Sequence, residues 1–292
     1  MTETASTSTA ATKRVELSAG PISYREAGEG EPIVFVHGFL VDGRLWERSA
    51  AALAGQFRCI VPDWPMGSHT VAMNPDADLS PYGFADLIAE FLAALELEDV
   101  TIVANDSGGA ISQVLATRRP ERIGRLVLTN CDTYEQFPPG IFKLLPTLVK
   151  IPGAQTVAAL PFRIGALRRA AFAPFAKKKI DPELIDSWFA SQADSAIRRD
   201  TAKYAADMNK RYTLEAAEKL ADFDRPVLIA WGADDGVFKL ENAQRLARAI
   251  PDAELETIPD AKTFVSLDQP QRLAELIGAF VGTGATAPAR SA

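Results

Sequence analysis

Sulfur and imidazole are scarce in this chain, whose 292 residues include two cysteines, two histidines and four methionines. Cys59 and Cys131 each sit inside an apolar, strand-like run. Buried reduced thiols are therefore expected, and neither a disulfide scaffold nor a structural zinc site has the residues it needs. Clusters of His, Cys and carboxylates at ligand spacing are also wanting, so no metal and no cofactor is expected. Gly28-Glu29-Gly30 precedes a strand instead of joining a strand to a helix, which removes the dinucleotide loop and with it redox chemistry. Positive charge is in deficit too, the formal net charge being -7. That excludes a general nucleic-acid surface, and Lys177-Lys178-Lys179 reads as a solvated face. No apolar run reaches membrane-spanning length, and the Thr/Ser/Ala-rich start lacks the charged and apolar segments of an export signal. The expectation is a cytoplasmic protein, monomer or homodimer, whose partner is a small molecule and not a nucleic acid or a membrane.

What is present is a rhythm. Val15–Leu17 and Ile22–Glu26 read as a pair of opening strands, followed by the almost unbroken apolar run Pro32–Val36 that a strand covered on both faces requires. Leu45–Leu53 is helical, Phe57–Val61 a strand, Tyr82–Leu95 an amphipathic helix, and Ile123–Thr129 another strand. Such alternation predicts an α/β fold, with a mostly parallel central sheet of about eight strands and helices on both faces. From residue 134 to 223 the rhythm breaks into an apolar, proline-punctuated helical stretch, too long for a connection and read as an inserted helical cap. Pro226–Trp231, Leu240–Ala249, Glu254–Ile258 and Gln271–Val281 then resume the alternation. The core is thus expected at 13–133 and 224–282, with disordered tails at 1–12 and 283–292.

Thr101–Val103 leads into Asn105-Asp106-Ser107-Gly108-Gly109 and then a helical pattern stopped by Pro120. A buried strand turning sharply into a helix presents its turn residue above the sheet end, beside free N–H groups of the first helical turn. Two registers fit. With Asp106 at the bend, the small residues Ala104 and Gly108 lie two before and two after it; with Ser107 there, the flanks are Asn105 and Gly109. The first register is preferred. The plain alternative is a loop in which Asp106 or Ser107 merely caps the helix.

Taken together, His37-Gly38-Phe39 after a strand, the Asp63 turn, the Asn105–Gly109 bend, Trp231-Gly232 with Asp235, and the cap resemble the α/β-hydrolase superfamily over residues 15 to 281. The likeness is to the branch of haloalkane dehalogenases and epoxide hydrolases, which carry aspartate at the bend. The resemblance implies Asp106 as nucleophile, the N–H groups of Phe39 and Ser107 as oxyanion hole, Asp235 as orienting acid, and Asp132 as an alternative acid. It implies a hydrolase acting on a small, largely apolar ester, epoxide or halide. An aspartate can attack a carbon bearing a leaving group, and the N–H donors can hold charge when water attacks the ester.

The base departs from the pattern, because Thr263 stands where these enzymes have histidine. Threonine cannot accept a proton near neutral pH. His37 reads mainly as structural, with direct participation as the alternative. His69, on a loop leaving the Phe57–Val61 strand, is a candidate base. If neither serves, Asp106 can act as a general base with its pKa raised by burial. A lyase, a cyclase or a binding protein on the same scaffold is the competing class. Halide-holding residues are also absent, the relevant positions being Phe39 and Ser107. Tyr134, Tyr204 and Tyr212 are candidate cap tyrosines. Trp46, Trp64, Phe137, Phe142 and Trp188 are candidate walls of an apolar cavity, Asn105 fixes the turn, and Asp42 pairs with Arg44 or caps the helix after it.

Overall fold

The computed structural model describes residues 11–151, 153 and 161–284. Its eight strands form one sheet in the order β1-β2-β4-β3-β5-β6-β7-β8. They are β1 (Lys13–Leu17), β2 (Gly20–Ala27), β3 (Pro32–Val36), β4 (Arg58–Pro62), β5 (Val100–Asp106), β6 (Ile123–Cys131), β7 (Val227–Gly232) and β8 (Ala253–Ile258). β1 and β2 are antiparallel, as is β2 against β4, and from β4 to β8 every neighbour is parallel. The expected α/β-hydrolase architecture is therefore the observed one. Most of the tails expected at 1–12 and 283–292 lies outside the described residues. The last helix runs to Gly284, slightly past the expected boundary.

Side-chain alternation along the strands builds two apolar layers. Val34 and Val36 of β3 pack on one side with Phe84, Ile88, Ile111 and Val114. These come from α2 (Pro81–Ala94) and α3 (Ser107–Arg118), which follow α1 (Glu47–Leu53) in the chain. Ile33 and Phe35 pack on the other side with Leu45, Leu53, Leu273 and Ile277. Burying both faces is what a parallel sheet demands, and β5 and β6 are buried at every position. Local signals set the ends of α2: Ser80 accepts from the Gly83 N–H, and Pro81 occupies the first turn, where a missing N–H costs nothing.

Between β6 and β7 the chain is helical, with Gly165–Phe172, Pro182–Ala190, Ser195–Asp207 and Lys210–Lys219 as the main helices. Residues 152 and 154–160 of this insertion lie outside the described residues. Asp181, Asp194 and Asn209 cap the last three helices by accepting backbone N–H bonds. Of the prolines in this stretch, Pro182 takes the first position of its helix, directly after the Asp181 cap. Among the described residues no helix is long and apolar enough to cross a membrane.

Candidate active site

The site forms where β3, β5, β6 and β7 end. Asp106 closes β5 with φ 53° and ψ −134°, a backbone that disfavours any residue but glycine, and Ser107 opens α3. Holding it there costs roughly 1–3 kcal/mol, so the surroundings must over-determine it. They do so through small residues. A Cβ on Gly108 would lie 2.3 Å from the His37 carbonyl oxygen, and one on Gly109 would lie 2.3 Å from Cys131 Cβ. The Asp132 N–H also donates to the Asp106 carbonyl at 3.3 Å.

The bend aims the Asp106 carboxylate at the β3 loop. Its Oδ2 accepts the Phe39 N–H at 3.2 Å, and the Ser107 N–H also supports the carboxylate. Gly38 is needed beneath it, since a Cβ there would come within 2.1 Å of Oδ2. Burial pushes the Asp106 carboxyl up to about 7, against the two N–H bonds that favour its charge; Asp235 adds to the rise.

Asp235, in the loop after β7, is fully committed. Its Oδ1 accepts from the Val237 and Phe238 N–H groups at 2.7 and 3.2 Å. Its Oδ2 accepts from Asn130 Nδ2 and from the Thr263 hydroxyl, both at 2.8 Å. Burial raises its pKa, and these bonds oppose the rise. Asn105 binds the strand ends together, its Nδ2 lying 2.9 Å from Thr129 Oγ1, 3.0 Å from the Asn130 carbonyl and 2.7 Å from the Thr263 carbonyl.

Asp132 sits just past β6 and is wholly buried. Neither of its carboxyl oxygens has a hydrogen-bond partner among the described residues. Burial, then the charge of Asp106, pushes its pKa well up. Tyr204, from the insertion, is equally buried. Its hydroxyl lies beside Ser107 and feels Asp132 and Asp106, without a well-formed hydrogen bond.

Both histidines have their ring nitrogens engaged elsewhere. The Trp64 N–H donates to His37 Nε2 at 2.8 Å, so Nδ1 carries the proton that reaches the Gly38 carbonyl at 2.9 Å. Burial lowers the His37 pKa to about 4, which leaves the ring neutral. His69 Nδ1 accepts the Gly67 N–H at 3.4 Å, and its Nε2 lies 3.4 Å from Asp200 Oδ2 in the Ser195–Asp207 helix. The structure thus places His69 between its own loop and the insertion, with neither nitrogen bonded to Asp106.

The aromatic candidates divide. Phe39 meets Phe142 at 6.2 Å and Tyr204 at 5.8 Å between ring centroids, so rings of the insertion stand over the Asp106 end of β3. Trp188 packs on Phe264, the neighbour of Thr263, at 6.1 Å, while its indole N–H donates to Asp42 Oδ1 at 3.2 Å. Trp46 packs at a tilt on Phe35 and Trp64 donates to the Phe35 carbonyl, both within the core, and Phe137 is buried with the α2–α3 layer. Tyr134 lies under Arg245, whose guanidinium sits 3.6 Å from the ring centre, and Tyr212 donates to Asp207 at 2.8 Å. Asp42 does both things expected of it, accepting from the Arg44 N–H at 2.9 Å and pairing with the Arg44 guanidinium at 2.5 Å. Asp200 and the Thr129–Asn130 pair are the members that sequence reasoning missed; polar residues at a strand's C-terminal end were the available signal for the pair.

Residues 31–270 match the family described as alpha/beta hydrolase fold. Haloalkane dehalogenase 2 of Mycobacterium tuberculosis is 27% identical over 277 residues, covering 89% of this chain and 91% of that protein. A cis-3-alkyl-4-alkyloxetan-2-one decarboxylase of Xanthomonas campestris is 28% identical over 298 residues, covering 92% and 95%. Among solved structures, a meta-cleavage product hydrolase of Pseudomonas fluorescens superposes with TM-score 0.76 at 22% identity, covering 93% and 98% of the two chains, which shows the shared fold alone.

Proposed function

Because the chain belongs to the alpha/beta hydrolase fold family, we propose that it is a cofactor-independent hydrolase that attacks a small, largely apolar ester, epoxide or halide with Asp106. One observation carries this reading: the Asp106 carboxylate is aimed by a strained bend so that Oδ2 rests on the Phe39 N–H, beneath aromatic rings. That leaves Oδ1 as the attacking atom. Its electron pair forms a bond to carbon as the leaving-group bond breaks, giving an ester whose carbonyl oxygen is Oδ2. Water adding to Cγ then puts negative charge on Oδ2, where the Phe39 and Ser107 N–H groups stabilise it. The similar proteins act, by their names, on haloalkanes and on an oxetanone, both carbon electrophiles with apolar chains. Asp235 braces the Thr263 and Asn130 ends of the site.

A second reading rests on Thr263. Its hydroxyl is committed to Asp235, and no imidazole lies between Asp235 and Asp106. This favours a non-hydrolytic lyase or cyclase, or a binding protein, on the same scaffold.

Intact-protein mass spectrometry after incubation with esters, epoxides and haloalkanes separates the readings. An adduct on Asp106 that disappears in Asp106→Asn, together with lost turnover, supports the hydrolase. Turnover that survives Asp106→Asn rejects the nucleophilic role.

A further inference from the structure

The ester chemistry above leaves the buried carboxyl of Asp132 unused. Its main-chain N–H is bonded to the Asp106 carbonyl, and Cys131, just before it, is the β6 partner of Asp106 in the sheet. Both side-chain oxygens are buried and unpartnered among the described residues. A carboxylate in that state is costly, so burial and the nearby charge of Asp106 favour the protonated form of Asp132. The titratable groups acting on or facing it are Asp106 from β5, Cys131 at the end of β6 and Tyr204 from the insertion, and none supplies a positive charge.

We propose that Asp132 carries the proton that a histidine would otherwise carry, and that the substrate therefore leaves through an oxygen that must be protonated, as in a strained cyclic ether. The proposal rests on Asp106 being the nucleophile. In the first step Oδ1 of Asp106 bonds to a ring carbon, the C–O bond breaks, and the freed oxygen takes the Asp132 proton. The products are an ester on Asp106, a hydroxyl on the substrate and an ionised Asp132. In the second step Asp132 removes a proton from water, and the hydroxide adds to Cγ of Asp106. Collapse expels the substrate oxygen, which takes the proton left on the Asp106 carboxyl. Asp132 ends protonated and Asp106 ionised, the net change being addition of one water.

A departing halide is served worse, because it needs donors in place of an acid. The Phe39 and Ser107 N–H groups already hold the Asp106 carboxyl and are not free to receive the anion. Tyr204 is the rival acid, but burial pushes its hydroxyl well above a range that already lies far higher than a carboxyl's. Tyr204 is left to orient the oxygen.

The test compares adduct formation on Asp106 by a 1,2-epoxyalkane and a 1-bromoalkane of matched chain length, in wild type, Asp132→Asn and Tyr204→Phe. Asp132→Asn is expected to lower the epoxide-to-bromide rate ratio about 100-fold. Tyr204→Phe should lower it much less. In wild type the bromide reaction should rise with pH through about 7 as Asp106 ionises. The epoxide reaction should rise and then fall as Asp132 loses its proton, a measurement independent of how the variants fold. An unchanged ratio in Asp132→Asn, a ratio that collapses in Tyr204→Phe instead, or matching pH profiles overturns the assignment while leaving the nucleophile intact. No adduct with either reagent overturns both.

Discussion

Thr263 donates its hydroxyl to Asp235 Oδ2 at 2.8 Å, so the acid beside the site is satisfied by a side chain that cannot accept a proton in return. The Thr263 carbonyl is held in place from the other side by Asn105.

That fixed backbone makes Thr263→His an informative substitution. An imidazole at 263 would inherit the Asp235 bond and face Asp106, and we expect the lifetime of an Asp106 ester to shorten by about 100-fold or more. Thr263 is fully buried, so the larger ring should cost about 1–3 kcal/mol of stability. Time-resolved intact mass and a urea titration check the two effects separately.

Gly38→Ala tests the seat of the carboxylate. Its Cβ would lie within 2.1 Å of Asp106 Oδ2, and the carboxylate would have to leave the Phe39 N–H. Hydrolysis of the Asp106 ester should slow by about 100-fold, the usual cost of losing one such donor. Stopped-flow or quenched-flow kinetics measure it, with circular dichroism expected to be unchanged.

Asp106 also weighs on stability. Its folded pKa of about 7 lies above the ordinary carboxylate value, so ionising it opposes folding. The penalty is absent below about pH 4, grows as pH rises, and is complete above about 7. Asp106→Asn should therefore stabilise the protein at pH 8 by a few kcal/mol, on the order set by the shift, and do little at pH 4. Thermal unfolding at the two pH values decides this.

Asp200 has the opposite sign. Burial alone would raise its pKa, but the bonds from His69, Met73 and Arg199 together hold it below the usual range. It contributes stability at neutral pH that is lost as pH falls through its lowered pKa. Asp200→Ala strips the partner from the Met73 N–H and from Arg199 and should cost about 3–5 kcal/mol at pH 7. The two proteins should converge in acid, as denaturant titrations would show.

The sheet and the bend were readable because both rest on local pattern. Apolar runs without alternation mark doubly covered strands such as Pro32–Val36, and small residues at 104 and 108 mark Asp106 as the residue at the bend. Contacts made across long sequence separations were not readable. Nothing near His69 announces a carboxylate at 200, and nothing near Tyr134 announces Arg245 over its ring. Helix periodicity in the insertion likewise does not say which of its tyrosines turns inward, although Tyr204 meets Phe39 and Phe84 while Tyr212 meets Tyr82. α3 begins as early as Ser107, although Ser107, Gly108 and Gly109 look like loop residues until the bend gives them their place.

Among the polar pins that fasten the insertion to the sheet's loops are Trp188 on Asp42 and Asp200 on the Met73 N–H. Leu144, Leu148 and Ile151 stand in solvent close in sequence to Phe142, whose ring faces Phe39. The roof over Phe39 is thus borne by a segment that keeps several of its own greasy side chains outside the core.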